Sequence, residues 1–354
     1  VGLLGGKFSK DKNGNYRIDY IFEGEDWNSG AKSPLRAPGI NVNRGDYIVA
    51  IDGVPAKNFS EIYEALVGKV GMTVALDVNK KSSADGARRV YVQPIASEQG
   101  LAYHDWVTRN IAIVDSLSGG KVGYVHIPDM GANGMTFFTK YFYPQLEKKA
   151  LLIDDRMNGG GNVSPMILER LLREVYRITM GRNRKGGVVP AQAHYGPKLC
   201  LMDKYSMSDG DQFPHGFRKL GIGKLMGCRT WGGIVGITGS RPYIDGQDMR
   251  TPFFTSYSPE GEWLIEGTGV SPDFEVDINP FEDYLGSDNQ LNRKSRPAST
   301  KPAINIRPLS LMTRSCSRSF SLAFSRLRRR FGFFAIITSP ARNMGMNKMP
   351  MSSQ

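Results

Sequence analysis

Acidic residues stop at Asp288, and the 66 positions from 289 to 354 hold none. The same stretch holds 13 of the 46 lysines and arginines, so the body before it carries 33 basic against 34 acidic residues. The net charge of +12 therefore belongs to the tail. The near-neutral body lacks the basic excess of a nucleic-acid-binding domain. Cysteine is scarce too: Cys200, Cys228 and Cys316 stand far apart. That fits a reducing cytoplasm rather than a disulfide framework, and the spacing suits no metal. Neither a metal nor a cofactor is expected. No apolar run approaches the ~20 residues that span a bilayer, so no membrane partner is expected. The opening "VGLLGGKF" lacks the basic lead and long apolar stretch of a signal peptide, and a start at Val1 fits a fragment.

What is present is enough for a packed core: 40% hydrophobic residues in 354, a length for two or three domains. Residues 1–95 read as a small β-rich domain. "YRIDYIFEG", "GDYIVAIDG", "TVALDVN" and "RRVYVQPI" are strand-like runs between turn residues. Asn13-Gly14 suits a hairpin turn. "NFSEIYEALVGKVG" predicts a helix capped by Ser60 and ended by Gly68. Residues 96–115, "SEQGLAYHDWVTRNIAIVDS", predict a helical connector. From 116 to 290, strands and helices alternate, which argues for an α/β sheet with sites at its strand ends. Residues 291–354 are rich in Ser, Arg and Pro around "SRLRRRFGFFAIIT". They read as a disordered tail, with an out-of-frame or chimeric end favoured over binding to nucleic acid or an anionic membrane.

Two turns carry the chemistry. "DDRMNGGGN" follows the apolar run "ALLI", and three glycines leave backbone N–H groups unobstructed. That suits an oxyanion hole, a phosphate cradle or a plain strand-to-helix turn. A phosphate loop would want Lys-Ser or Lys-Thr next, and "NVSP" lacks it. The second turn, "YSMSDGDQFP", follows "LCLM". Ser208 there is a helix cap, with Asp209 and Asp211 in the first turn, or a nucleophile on a sharp turn. "DGDQFPHGF" holds two glycines and a proline, poor helix material, which favours the second reading.

"YVHIPDMGANG", "DDRMNGGGNVS", "SDGDQFP" and "GCRTWGGIVGI", in this order, resemble the C-terminal half of the tricorn proteases, within the tail-specific (C-terminal processing) serine protease superfamily. The resemblance covers roughly residues 1–290. It implies a PDZ-like domain at 1–95, with "VGLLG" as its carboxylate loop, then an α/β serine protease core of the ClpP/crotonase type. It implies Ser208 as nucleophile, the N–H groups of Gly161 and Asp209 as oxyanion donors, and Glu266 in "LIEGTG" as the catalytic glutamate. Ser164 becomes a residue of the following helix. Peptides are the implied substrates, and the family forms large homo-oligomers.

Two departures qualify the resemblance. The family's general base is a histidine paired with a serine ahead of the PDZ domain, and His104, His126, His194 and His215 do not occupy that motif. The expectation is a fragment that is nearly inactive alone. The family's acidic residue for basic substrate side chains falls near Thr179, where no carboxylate stands. The alternative function is a non-catalytic PDZ module that binds peptides.

Overall fold

A computed structural model describes residues 1–25, 31–183, 186–237 and 242–291. Of the tail expected at 291–354 only Leu291 is described, and it is buried rather than disordered; residues 292–354, with the other expectations attached to the tail, lie outside the described residues.

The N-terminal part is an antiparallel sheet. Its strands are β1 (Gly6–Lys10), β2 (Tyr16–Ile21), β3 (Tyr47–Ile51), β4 (Val54–Pro55), β5 (Val74–Asn79) and β6 (Arg88–Val92). They run in the order β1-β2-β3-β5-β6, with β4 beside β3. In β5, buried Val74, Leu76 and Val78 alternate with less buried neighbours, as a half-solvated strand requires. Gly14, at a φ of 83°, turns β1 into β2 while the Asp11 carboxylate accepts from the N–H groups of Asn13 and Asn15. The helix expected after Ser60 is not formed as such. Residues Ala56–Asn58 and Ile62–Leu66 make two short 3₁₀ turns instead. Only Ile62 and Leu66 of the second are buried, too narrow an apolar stripe to hold a longer helix.

Helix α1 (Gln99–Ser118) then leads into the second sheet. Its elements are β7 (Val122–His126), α2 (Ala132–Phe142), β8 (Ala150–Asp154), α3 (Ser164–Leu172), a small hairpin of β9 (Arg177–Thr179) and β10 (Gly187–Val189), β11 (Lys198–Met202), α4 (Asp209–Lys219), β12 (Gly223–Gly227), β13 (Phe274–Glu275) and α5 (Pro280–Tyr284). The sheet is parallel in the order β13-β12-β11-β8-β7. Strands β7 and β8 are buried at all but one position each, and β11 and β12 over their last three residues, as a covered parallel sheet demands, while β13 at the edge is not buried. The larger core packs Phe138, Phe142, Ile167, Phe213 and Phe217 against Val125, Ile153 and Leu225.

Helix α4 forms straight through Gly210, Pro214 and Gly216. Packing overrides propensity here. A Cβ at Gly216 would lie 2.6 Å from Leu168 Cδ1 of α3, and one at Gly210 would lie 2.9 Å from Asn158 O. The glycines let α4 approach its neighbours closely, and the close fit outweighs their roughly 1 kcal/mol helix cost.

The two sheets are tied through α1. Asp105 accepts from Tyr20 OH at 2.9 Å and from Glu23 N–H at 3.0 Å. At the other end the chain is anchored as far as Leu291. Arg156, 2% exposed, donates to Asp154, to Asp288 at 2.8 Å and to Gln290 at 2.9 Å. Burial alone would raise Asp154, but the charge and hydrogen bonds of Arg156 more than offset it and hold the carboxylate low. No described helix is long and apolar enough to cross a membrane.

Candidate active site

Four turns meet at the C-terminal edge of the parallel sheet, where open α/β sheets place their sites. They follow β7, β8, β11 and β12. Ser208 ends the turn after β11. Its backbone lies at φ 58° and ψ −120°, a region that costs a non-glycine residue about 1–3 kcal/mol. The neighbours fix it there. Met207 N–H donates to Asn158 O at 3.0 Å, Ser208 N–H to Gly233 O at 3.1 Å, and Asp211 N–H to Ser208 O at 2.9 Å. The cap reading fails on this geometry, because the Ser208 side chain accepts no hydrogen bond from the first turn of α4. Half-buried, the hydroxyl is directed instead at the glycine turn: a Cβ at Gly160 would lie 3.2 Å from Ser208 Oγ and 2.7 Å from its Cβ.

The glycine turn follows β8. Gly160 sits at φ 80°, and Gly161 is so close to the β7 turn that a Cβ would lie 2.0 Å from Met130 O. Met130 N–H donates to Gly160 O, and the N–H groups of Asn162 and Val163 both donate to Met130 O. Asn158, fully buried, braces the turn by accepting from Gly160 N–H at 2.9 Å and donating to Ile127 O at 2.9 Å. Neither Gly161 N–H nor Asp209 N–H has an acceptor among the described residues. The first belongs to the glycine turn, the second to the opening of α4, where the helix dipole adds positive potential. Two free donors flanking a hydroxyl on a strained turn can stabilise an oxyanion.

Sequence reading placed Asp209 and Asp211 in the first turn of α4 but missed that their carboxylates, with that of Asp203, hold these turns. Asp203 Oδ1 accepts from the N–H groups of Met157, Tyr205 and Ser206, each at 3.0 Å. Asp211 accepts from Gly232 N–H at 2.7 Å and Gly233 N–H at 3.3 Å. The Asp209 carboxylate accepts from Ser164, from Oγ at 2.5 Å and N–H at 2.9 Å. Ser164, 3% exposed, is thereby committed to tying α3 to α4. The available signal was the set of carboxylates flanking two serines, Ser206 and Ser208, in "DKYSMSDGD".

Glu266 stands, exposed, on a turn before β13. Its carboxylate accepts from Ile234 N–H at 2.6 Å and Val235 N–H at 2.9 Å. It thus reaches Ser208 through the same loop whose Gly233 O takes the Ser208 N–H. No described histidine bonds Ser208. His104 pairs with Tyr141, His126 with Tyr103 and Arg156 O, and His194 with Lys148 O. His215 lines a cavity of about 350 Å³ between α3 and α4, beside Leu168, Gln212 and Ile265. Burial first, then Lys219 and Arg218, lower its pKa. Thr179 lies exposed on β9.

Comparison with known proteins bears on the family and the fold. Residues 2–97 match the tricorn protease PDZ domain, and residues 121–276 match peptidase family S41. The tricorn protease homolog 1 of Streptomyces coelicolor is 34% identical over 86% of this chain and 29% of its own length. The tricorn protease of Thermoplasma volcanium is 35% identical over 80% of the chain and 27% of its own. A putative tricorn-like protease C-terminal subunit of Sulfurisphaera tokodaii is 39% identical over 82% and 34%. A crystal structure of the tricorn protease superposes with a TM-score of 0.76 at 33% identity, over 82% of this chain and 28% of that one. The chain thus spans about a third of the length of these relatives. With a tricorn-type PDZ domain ahead of an S41 peptidase core, it belongs to the tricorn family of serine peptidases.

Proposed function

We propose that this chain carries the nucleophile and oxyanion hole of a tricorn-type endopeptidase acting on peptides. The carrying observation is the strained Ser208, whose hydroxyl faces the glycine turn while it and the N–H groups of Gly161 and Asp209 have no hydrogen-bond partner among the described residues. A purely scaffolding core would have no reason to keep strain and unpaired donors together.

In the reaction, Ser208 Oγ attacks the scissile carbonyl carbon and gives its proton to a base. The carbonyl oxygen, now negative, accepts from Gly161 N–H and Asp209 N–H. Collapse expels the amine, which takes that proton, and water then cleaves the acyl-serine. The base comes from outside the described residues, and the family resemblance makes it a histidine paired with a serine. Glu266 orients that pair while its carboxylate holds the loop at Ile234 and Val235. We extend the reading to a cytoplasmic setting and a homo-oligomer in the longer protein. The domain limits at 95, 115 and 290 belong to the same proposal. Without a carboxylate at Thr179, a preference for basic side chains is not expected.

Fluorophosphonate labelling read by mass spectrometry tests this. The chain should label slowly on Ser208, faster with added imidazole as external base. A label on Ser164 or no label at all sinks the reading.

A further inference from the structure

The carboxylate loop of the N-terminal domain is already occupied. In the loop Gly2–Gly5, Gly2 N–H donates to Leu66 O at 2.8 Å and Leu3 N–H to Ile95 O at 2.9 Å. Gly5 N–H, at the loop's end, donates to Glu98 Oε1 at 2.6 Å. A carboxylate therefore sits on this backbone donor, and it comes from the chain itself. Glu98 lies one residue beyond the PDZ match, directly before α1.

The surroundings suit a carboxylate better than a structural contact needs. Strand β1, which the loop leads into, is an edge strand that pairs, among the described residues, with β2 alone. An extended peptide adding to β1 would bring its terminal carboxylate to this loop. Ser33, 6% exposed, has no partner for its hydroxyl among the described residues, and that Oγ lies 3.0 Å from where a Cβ on Gly5 would stand. A second buried donor thus waits beside Gly5. Glu98 is also within electrostatic reach of Tyr63 on the 3₁₀ turn Ile62–Leu66, whose pKa is raised by burial first and by Glu98 next. Glu98 itself is only half-buried, so its side chain can swing into solvent without breaking a core.

We propose that Glu98 is a built-in competitor of the N-terminal domain, holding Gly5 N–H until a peptide with a free C-terminal carboxylate displaces it. This rests on the reading of that domain as a peptide binder. Displacement frees the residue that precedes α1, and α1 carries the Asp105 contacts to Tyr20 and Glu23 and the Tyr103 contact to His126 at the end of β7. Occupancy of the loop is therefore mechanically joined to the helix that leads into the catalytic core.

The test titrates the whole chain with a hexapeptide ending in valine, as free acid and as amide, by fluorescence anisotropy. Glu98→Ala should tighten the acid roughly tenfold, the worth of one charge-assisted hydrogen bond, and leave the amide unchanged. Glu98→Gln, which keeps an acceptor without charge, should fall between. Circular dichroism melting confirms that each variant is folded. Equal acid affinity in wild type and Glu98→Ala, with acid still favoured over amide, removes the competitor and leaves the peptide reading standing. A Glu98→Ala protein that treats acid and amide alike removes the carboxylate seat as well. An equal gain for both peptides also overturns the proposal, since it reports an opened groove rather than a vacated donor.

Discussion

Two loops of this chain present backbone N–H groups, and they are in opposite states. At the turn that ends on Ser208, the N–H groups of Gly161 and Asp209 have no acceptor among the described residues, and Ser208 is held at φ 58°. At the Gly2–Gly5 loop, three of the N–H groups already have acceptors, one of them a carboxylate. The difference shows what stability alone would do with an exposed donor, which is to pair it. A vacancy kept open by Asn158, Asp203 and Asp211 costs free energy that the fold recovers elsewhere, and such costs gather where transition states are bound.

The largest effect that could break this contrast lies at the serine. In a protein supplied with its base, Ser208→Ala should lower peptide hydrolysis by about 10³-fold or more and abolish fluorophosphonate labelling. Ser164→Ala should leave the labelled site unchanged, because that hydroxyl is spent on Asp209. Filling the vacancy comes next. Gly160→Ala places a Cβ 2.7 Å from Ser208 Cβ at a φ of 80°, so Ser208 must move. Its labelling rate should fall about 10²-fold, on the scale of losing one oxyanion donor. A labelling rate within twofold of wild type would show that the turn is not tightly set. A smaller loss, about tenfold in hydrolysis, is expected for Glu266→Gln. The amide oxygen can still accept from Ile234 and Val235, so melting should hardly change while orientation of the base suffers. A large drop in melting temperature would assign Glu266 to the fold instead.

Sequence pattern carried some of this and not the rest, for physical reasons. Period-2 strands such as β5, the Gly14 hairpin and α1 follow from local chemistry, so they were legible. So was the placing of "NGGG" and "SMSDGD" after apolar strands. What escaped depends on partners far along the chain. α4 forms through Gly210, Pro214 and Gly216 because α3 and Asn158 fill the space a side chain would need. Arg156 is buried on Asp288 and Gln290, more than 130 residues away. The Glu98 carboxylate meets Gly5 across 93 positions. Neither hydropathy nor propensity encodes such pairs. The expected helix after Ser60 failed for the opposite reason: its local signals were adequate and its buried stripe was not.

The smallest effect tests what the open turn costs. Asp155 directly follows β8, is fully buried, and has both carboxyl oxygens without a hydrogen-bond partner among the described residues. Burial, with the charges of Asp154, Asp203, Asp211 and Asp209 added, pushes its pKa well above the ordinary 3.8. The folded chain keeps the proton while the unfolded chain releases it near that ordinary value. Stability is therefore lost as pH rises from there towards the raised folded value. Asparagine has nearly the same shape and no charge to suppress. Asp155→Asn should melt higher than wild type at pH 7, by roughly 2–4 °C for each kcal/mol recovered. The gap should close as pH falls towards 4. Melting curves from pH 4 to 8 decide it. A gap of constant size would mean packing rather than ionisation, and a lower melting temperature at neutral pH would mean that the carboxyl has a partner that holds it charged.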